Sequence, residues 1–192
     1  MQENRLAAVI LAAGKGTRMK APGAKVLQKL AGRPLLSHLL ESVRNLAPDR
    51  LVIVVGYQAK EVMARFQIRD IEFALQEQQL GTAHAVAQAE SSLKDFSGDV
   101  LVLCGDMPLL KQKTLEKLIG QHRQAGSHCT LLTVKTSEKK DFGLVLRDEK
   151  GNIARIVEQK DATEAEKRVD EYNAGVYCLG KALLFSALKS IE

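Results

Sequence analysis

Two apolar patterns alternate along this chain. Short uninterrupted runs, Val9-Ile-Leu-Ala-Ala13, Leu51-Val-Ile-Val-Val55 and Val100-Leu-Val-Leu-Cys104, are each followed at once by glycine. They are too brief for helices, and unbroken apolar runs of this length mark strands buried on both faces of a parallel sheet. Between them the apolar positions recur at three and four. Leu35, Leu36, Leu39, Leu40, Val43 and Leu46 follow Pro34, which suits the first turn of a helix. Val62, Met63 and Phe66 predict a short helix, as do the alanine-rich run to Ala89 and the positions Leu115, Leu118 and Ile119. Residues 71–75 and 129–134 read as further strands. Strand and helix alternation of this kind predicts an α/β fold, Rossmann-like, with a mostly parallel central sheet flanked by helices.

Beyond 134 the pattern changes. Residues 143–147 and 153–157, with a turn at Asp148-Glu-Lys-Gly151 between them, predict a hairpin. The charged stretch from Glu158 onward is expected to form a short surface helix, 171–177 to return to the sheet, and 181–191 to close the chain with a helix. There is no internal repeat or linker, so residues 1–192 are read as a single domain.

Composition narrows the function classes. No stretch of about 18 uncharged apolar residues occurs, nor a basic-plus-apolar start, so no membrane partner is expected and the protein is read as cytoplasmic. Cys104, Cys129 and Cys178 lie far apart without metal-ligand spacing, which predicts buried reduced thiols. The net charge of +5 is scattered among acids and aromatics make up 4% of residues, which argues against nucleic acid as a partner. A small polyanion suits the basic excess better.

Candidate chemistry begins after the first strand. Gly14-Lys15-Gly16 followed by Arg18 has the composition of a loop that wraps an anion with backbone N–H groups. It is not a P-loop, because Gly16 stands where serine or threonine is required, nor a dinucleotide fingerprint, because Met19 replaces the third glycine. Lys25 lies between apolar stretches. Gln76, Gln78 and Gln79 precede Gly81-Thr-Ala-His84, and amides at a strand end have the donors and acceptors to read a base edge. Gly105-Asp106 follows an apolar strand, where open α/β sheets bind ligands and a hard oxygen suits magnesium. Gly143, Glu158 and Asn173 sit at hairpin and strand ends. Taken alone, each also has a plain reading as basic turn, solvated lysine, polar loop or capping aspartate. His38 reads as a packing or polar contact.

In this order the motifs resemble the sugar nucleotidyltransferases. Residues 11–19, Gln79-Leu-Gly-Thr-Ala-His-Ala85, Gly105-Asp-Met-Pro-Leu109, Val157-Glu-Gln-Lys-Asp-Ala162 and Glu171-Tyr-Asn-Ala-Gly175 are similar to the N-acetylglucosamine-1-phosphate uridylyltransferase family. The resemblance implies a nucleotidyltransferase fold with a hairpin insertion for the sugar, and small-molecule substrates, UTP and N-acetylglucosamine-1-phosphate, on the way to cell-wall peptidoglycan. It implies that Leu11, Ala12, Ala13, Gly14, Gln76, Gly81, Thr82 and Gly105 hold the nucleotide. Arg18 and Lys25 would bind the triphosphate, Asp106 a catalytic Mg2+, and Gly143, Glu158 and Asn173 the N-acetylhexosamine. It further implies a domain that ends short of the family's usual C-terminus and carries no β-helix acetyltransferase domain. The chain differs from the family pattern at Ala24, Leu144 and Ala174, which bears on sugar preference more than on nucleotide binding. Another base specificity, or a catalytically silent nucleotide-sugar-binding domain, also accommodates these motifs.

Overall fold

A computed structural model describes residues 4–16 and 23–190. Residues 131–176 form one compact unit, and the chain before and after them forms another. In chain order the elements are β1 (Leu6–Ala12), β2 (Lys29–Leu30), β3 (Arg33–Pro34), α1 (Leu35–Arg44), β4 (Arg50–Val55), α2 (Ala59–Arg65) and β5 (Glu72–Leu75). They continue with α3 (Thr82–Ala87), β6 (Asp99–Cys104), α4 (Gln112–Ala125), β7 (Cys129–Lys135), β8 (Leu144–Arg147), β9 (Ile153–Val157), β10 (Glu171–Gly180) and α5 (Lys181–Leu188).

In the larger unit the strands run in the order β5-β4-β1-β6, all parallel, and the end of β10 pairs antiparallel with β6 from Tyr177 opposite Val102 to Gly180 opposite Asp99. β1 lies centrally, with Val9 opposite both Val52 and Val102. Its side chains alternate between the two faces, and both faces are covered. Val9, Val52, Val54, Val100 and Val102 pack on one side with Ala85, Val86, Leu93, Phe96 and Phe185. Ile10, Ile53, Leu101 and Leu103 point the other way and are equally buried, which is why these runs carry no polar alternation. Each such aliphatic side chain contributes about 1.5–3 kcal/mol relative to exposure, so the central strands are set by burial more than by propensity. β5 is the edge of this sheet, and its Leu75 is correspondingly 51% exposed. α1 buries Leu36, Leu39, Leu40 and Val43, the stripe read from the sequence, and His38 contacts the Leu30 carbonyl at 2.9 Å. No helix among the described residues is long and apolar enough to cross a membrane.

In the smaller unit β8 and β9 form the expected hairpin, with Leu144 opposite Val157 and a bulge between Leu146 and Arg147. Asp148 closes the turn by accepting from the backbone N–H of Lys150 (3.0 Å) and Asn152 (2.8 Å). A small core of Leu144, Tyr172 and Ala162 holds β10 against it.

Two expectations are corrected here. The charged stretch after Glu158 does not make a surface helix; it forms one 3-10 turn, Glu166–Arg168, with no buried residue. Thr163 and Glu166 do build a reciprocal cap, Thr163 N to Glu166 Oε2 at 2.8 Å and Glu166 N to Thr163 Oγ1 at 3.3 Å, but a cap without an apolar face cannot sustain further turns. Among the cysteines, Cys178 is buried and Cys104 partly so, whereas Cys129 is exposed at the first position of β7. Of the final helix, Ile191 lies outside the described residues.

The Glu171 carboxylate accepts from Arg147 through both oxygens, Nε to Oε2 at 2.8 Å and Nη2 to Oε1 at 2.6 Å. These bonds to the Arg147 guanidinium hold the Glu171 carboxyl below its ordinary value of 4.5, against the opposing effect of burial. A folded-state value below the unfolded one means the pair stabilises above the unfolded value, and that the contribution is lost as pH falls through the folded value. Glu171→Gln should therefore lower stability by about 1 kcal/mol at pH 7 and by progressively less in acid. Urea midpoints measured from pH 7 downward check this, and a difference that does not change with pH would exclude it.

Candidate active site

The carboxyl ends of the parallel strands converge, and the chain supplies the residues that let them. Backbone bonds carry the pairing past the last regular residues: Tyr57 N to Ala13 O at 3.0 Å, Gln76 N to Val55 O at 2.7 Å and Gly105 N to Leu11 O at 2.8 Å. At Gly56 a Cβ would stand 2.9 Å from both the Ala13 Cβ and the Gln76 carbonyl, so only glycine allows these three strand ends to meet. A cavity of 440 Å³ opens here, at the end of the sheet where α/β proteins take ligands.

Its walls come from separate elements. The backbone of 11–14 leaves β1 along one side, while Gln76, Gln79, Gly81 and Thr82 lie between β5 and α3. Lys25 and Asp106 are the charged side chains among the described lining residues, and Cys104 and Val26 complete the floor. Gly16, at φ +65°, makes room for Lys25: a Cβ there would lie 2.6 Å from the Lys25 Cβ. Lys15 is drawn instead toward Tyr57, its Nζ 6.0 Å from the ring centre.

Lys25 Nζ forms an ion pair with Asp106 Oδ2, and the two side chains are 34% and 27% exposed. A pair this open contributes little to stability and can be exchanged for another partner. Cys104 lies beside them. Burial, and then the negative charge of Asp106, push its thiol up to about 11 against the opposing effect of Lys25. It is therefore a neutral wall at physiological pH and not a nucleophile. Among the described residues no three histidine, cysteine, aspartate or glutamate side chains gather to hold a metal. Asp106 offers a single hard carboxylate, which fits a magnesium ion only when other oxygens, such as ligand phosphates, complete its shell.

Gln76 is 2% exposed, deep in the wall. Its Nε2 donates to the Gly81 carbonyl at 3.2 Å and lies 3.0 Å from His84 Nδ1, while Gln79 Nε2 donates to the Gln76 carbonyl at 3.3 Å.

The structure thus brings together Leu11, Ala12, Ala13, Gly14, Lys25, Gln76, Gly81, Thr82 and Asp106 at one cavity. Gly105 is placed behind the wall rather than on it, with a prospective Cβ only 3.1 Å from the Leu11 carbonyl and from Val26 Cγ1. Arg18 lies outside the described residues. In the smaller unit Gly143, Glu158 and Asn173 also converge: Asn173 N donates to the Gly143 carbonyl at 2.8 Å, and Gly143 has no room for a side chain, with Ile156 Cγ2 at 2.9 Å and Glu158 Oε1 at 3.5 Å from its Cβ position. Asn173 Oδ1 accepts from Gly175 N at 2.9 Å. Sequence reasoning assigned no role to Val26 or His84 and read Cys104 only as a buried thiol, whereas Gly16 and Gln79 stood in the stretches read as an anion loop and a base-reading amide cluster. His84 stood inside a quoted motif, but its contact with Gln76 depends on how the intervening loop folds back.

The chain as a whole is similar to known proteins in sequence and in fold. The MobA-like NTP transferase domain family matches residues 8–188. The bifunctional protein GlmU of Pelotomaculum thermopropionicum is 51% identical over 187 residues, 97% of this chain and 41% of that protein. Its namesake from Desulfotalea psychrophila is 44% identical over 191 residues, 100% of this chain and 56% of that protein. The chain therefore spans about half the length of these relatives. A solved UDP-glucose pyrophosphorylase complexed with UDP-glucose shares the fold, with a TM-score of 0.79 over 98% of this chain and 80% of that one, at 15% identity.

The strand-end geometry predicts opposite outcomes for two glycines. Gly56→Ala forces backbone and Ala13 apart and should destabilise by about 1–3 kcal/mol. Gly14→Ala, which meets nothing within 4 Å, should leave the melting temperature nearly unchanged. Differential scanning calorimetry distinguishes them, and a Gly56→Ala chain as stable as the wild type would contradict the convergence.

Proposed function

Because the chain belongs to the MobA-like NTP transferase domain family, we propose that it transfers a uridylyl group from UTP to N-acetylglucosamine-1-phosphate, forming UDP-N-acetylglucosamine and pyrophosphate. The observation that carries this reading is the cavity itself, where an exchangeable Lys25–Asp106 pair lies across from a buried amide, Gln76. The similarity to the GlmU proteins over nearly the whole chain supports the choice of sugar nucleotide.

The reaction is an in-line attack by an oxygen of the sugar phosphate on the α-phosphorus of UTP. It needs no protein nucleophile, since the substrate supplies one, and this suits a cavity whose Cys104 stays protonated. What it needs is two anions held together and their charge neutralised. Lys25 leaves Asp106 for the nucleotide phosphates, and the freed Asp106 carboxylate is the residue that would hold Mg2+, with Arg18 adding charge on the triphosphate. When bound, the ion supplies charge neutralisation at the α-phosphate. The backbone from Leu11 to Gly14 lies along the base and ribose, with Gln76, Gly81 and Thr82 reading the base. Gly105 lets the Leu11 carbonyl approach. Gly143, Glu158 and Asn173 form the sugar group, where an exposed carboxylate and an amide suit hydroxyl and N-acetyl recognition.

Pyrophosphate release with N-acetylglucosamine-1-phosphate and each of UTP, CTP, GTP and dTTP in Mg2+ tests the reading. Release is expected with UTP; release with another triphosphate alone, or with none, overturns it. Lys25→Ala should lower the UTP rate by about 100-fold, the loss of roughly 3 kcal/mol of transition-state stabilisation, while the melting temperature barely moves. A variant that keeps most of its rate would remove Lys25 from the phosphate site.

One carboxylate cannot by itself satisfy an ion that demands six oxygens in strict geometry. Titration calorimetry should accordingly show negligible heat for Mg2+ with the free chain and a saturable response once UTP is present. Tight Mg2+ binding without nucleotide would mean that the metal has other protein ligands.

A further inference from the structure

Which way the Gln76 amide faces is decided behind the cavity wall. Nε2 lies 3.2 Å from the Gly81 carbonyl, an atom that can only accept, so the N–H end of the amide must be the end that faces it. The same nitrogen lies 3.0 Å from His84 Nδ1. Two N–H groups thus meet two acceptors, and the amide keeps Oε1, an acceptor, for a ligand. His84 Nδ1 must then be the bare nitrogen of a neutral imidazole, with the proton on Nε2.

A second amide competes for this ring. Gln88 Nε2 lies 3.2 Å from His84 Nε2 and 3.0 Å from the His84 carbonyl. A neutral imidazole has one ring lone pair to offer, so it cannot accept from both glutamines. Gln76 is buried and also tied to Gly81, whereas Gln88, although it donates to the His84 carbonyl, is only partly buried and can swing its amide away from the ring into solvent. The lone pair therefore goes to Gln76.

We propose that His84 is a positioning residue that locks the Gln76 amide with Oε1 as its free atom, so that the cavity selects a pyrimidine bearing an N–H at the ring edge. This rests on the uridylyl-transfer reading. Uracil has a donor at N3, which Oε1 accepts. Cytosine has a bare nitrogen there, and two lone pairs would face each other. Without the His84 acceptor the amide has one restraint instead of two and can rotate to offer N–H, which removes the penalty against cytosine.

Two measurements test this. In the free wild-type chain, long-range 15N–1H NMR of the histidine rings should show His84 protonated on Nε2 and bare at Nδ1; the Nδ1–H tautomer overturns the inference without any variant. Calorimetric affinities for UTP and CTP then read the selection. His84→Leu should lower the UTP-over-CTP preference by about tenfold, as expected for one lost restraint of hydrogen-bond size. His84→Asn, whose Oδ1 can stand in for Nδ1 as acceptor, should keep the preference to within about threefold. In a Gln76→Leu background His84→Leu should change the preference no further, because His84 acts through that amide. An unmoved preference in folded His84→Leu, an equal loss in His84→Asn, or a further loss in the Gln76→Leu background overturns the proposal. A wild-type chain that binds UTP and CTP alike overturns the uridylyl reading along with this selection, whereas the wrong tautomer overturns this inference alone.

Discussion

β1 is paired in parallel on both sides, to β4 from Ala7 through Ala12 and to β6 from Leu6 through Leu11, so nearly all of its backbone groups are spent inside the sheet. The ladder ends where Leu11 O accepts from Gly105 and Ala13 O from Tyr57. Only beyond that point are backbone groups released to bind something else, and there the chain places Gly14 and Gly16. The site therefore exists because hydrogen bonding in three adjacent strands runs out at one level. Gly56 and Gly105 let the strand ends approach closely enough for a single cavity to serve them all.

Electrostatics within the cavity follow from that crowding. Asp106 and Lys25 arrive on different segments and neutralise one another across an open space, where solvent keeps the pair weak. Either partner of so weak a pair can be drawn off by a stronger one. Cys104, two residues before Asp106, is held protonated by burial and by that same negative charge.

The smaller unit is organised differently, around an antiparallel hairpin with a modest apolar core. Polar contacts, such as the Arg147–Glu171 fork and the Asp148 turn, join its strands alongside that core. The same close packing that excludes a side chain at Gly143 sets Glu158 and Asn173 beside it.

Burial is periodic, so elements whose character is set by burial were legible in the chain: the three unbroken apolar strands, the α1 stripe from Leu36 to Val43 and the β8–β9 hairpin all lie where the pattern puts them. Lys25, Gln76 and Asp106 were legible as a set because their motifs occur in a recognisable order, although none was decisive alone. The charged stretch after Glu158 misled because helix-favouring composition and a good cap do not substitute for an apolar face to bury. Contacts made across loops left no periodic trace. That Gly16 yields space to Lys25, that Gly56 sits among Ala13 and Gln76, and that His84 orients the Gln76 amide are consequences of where separate strand ends meet. Sequence determined which residues are buried and which chemistries are present; the tertiary structure alone decided which of them touch, because distance across a loop depends on the packing of the whole sheet and not on spacing along the chain.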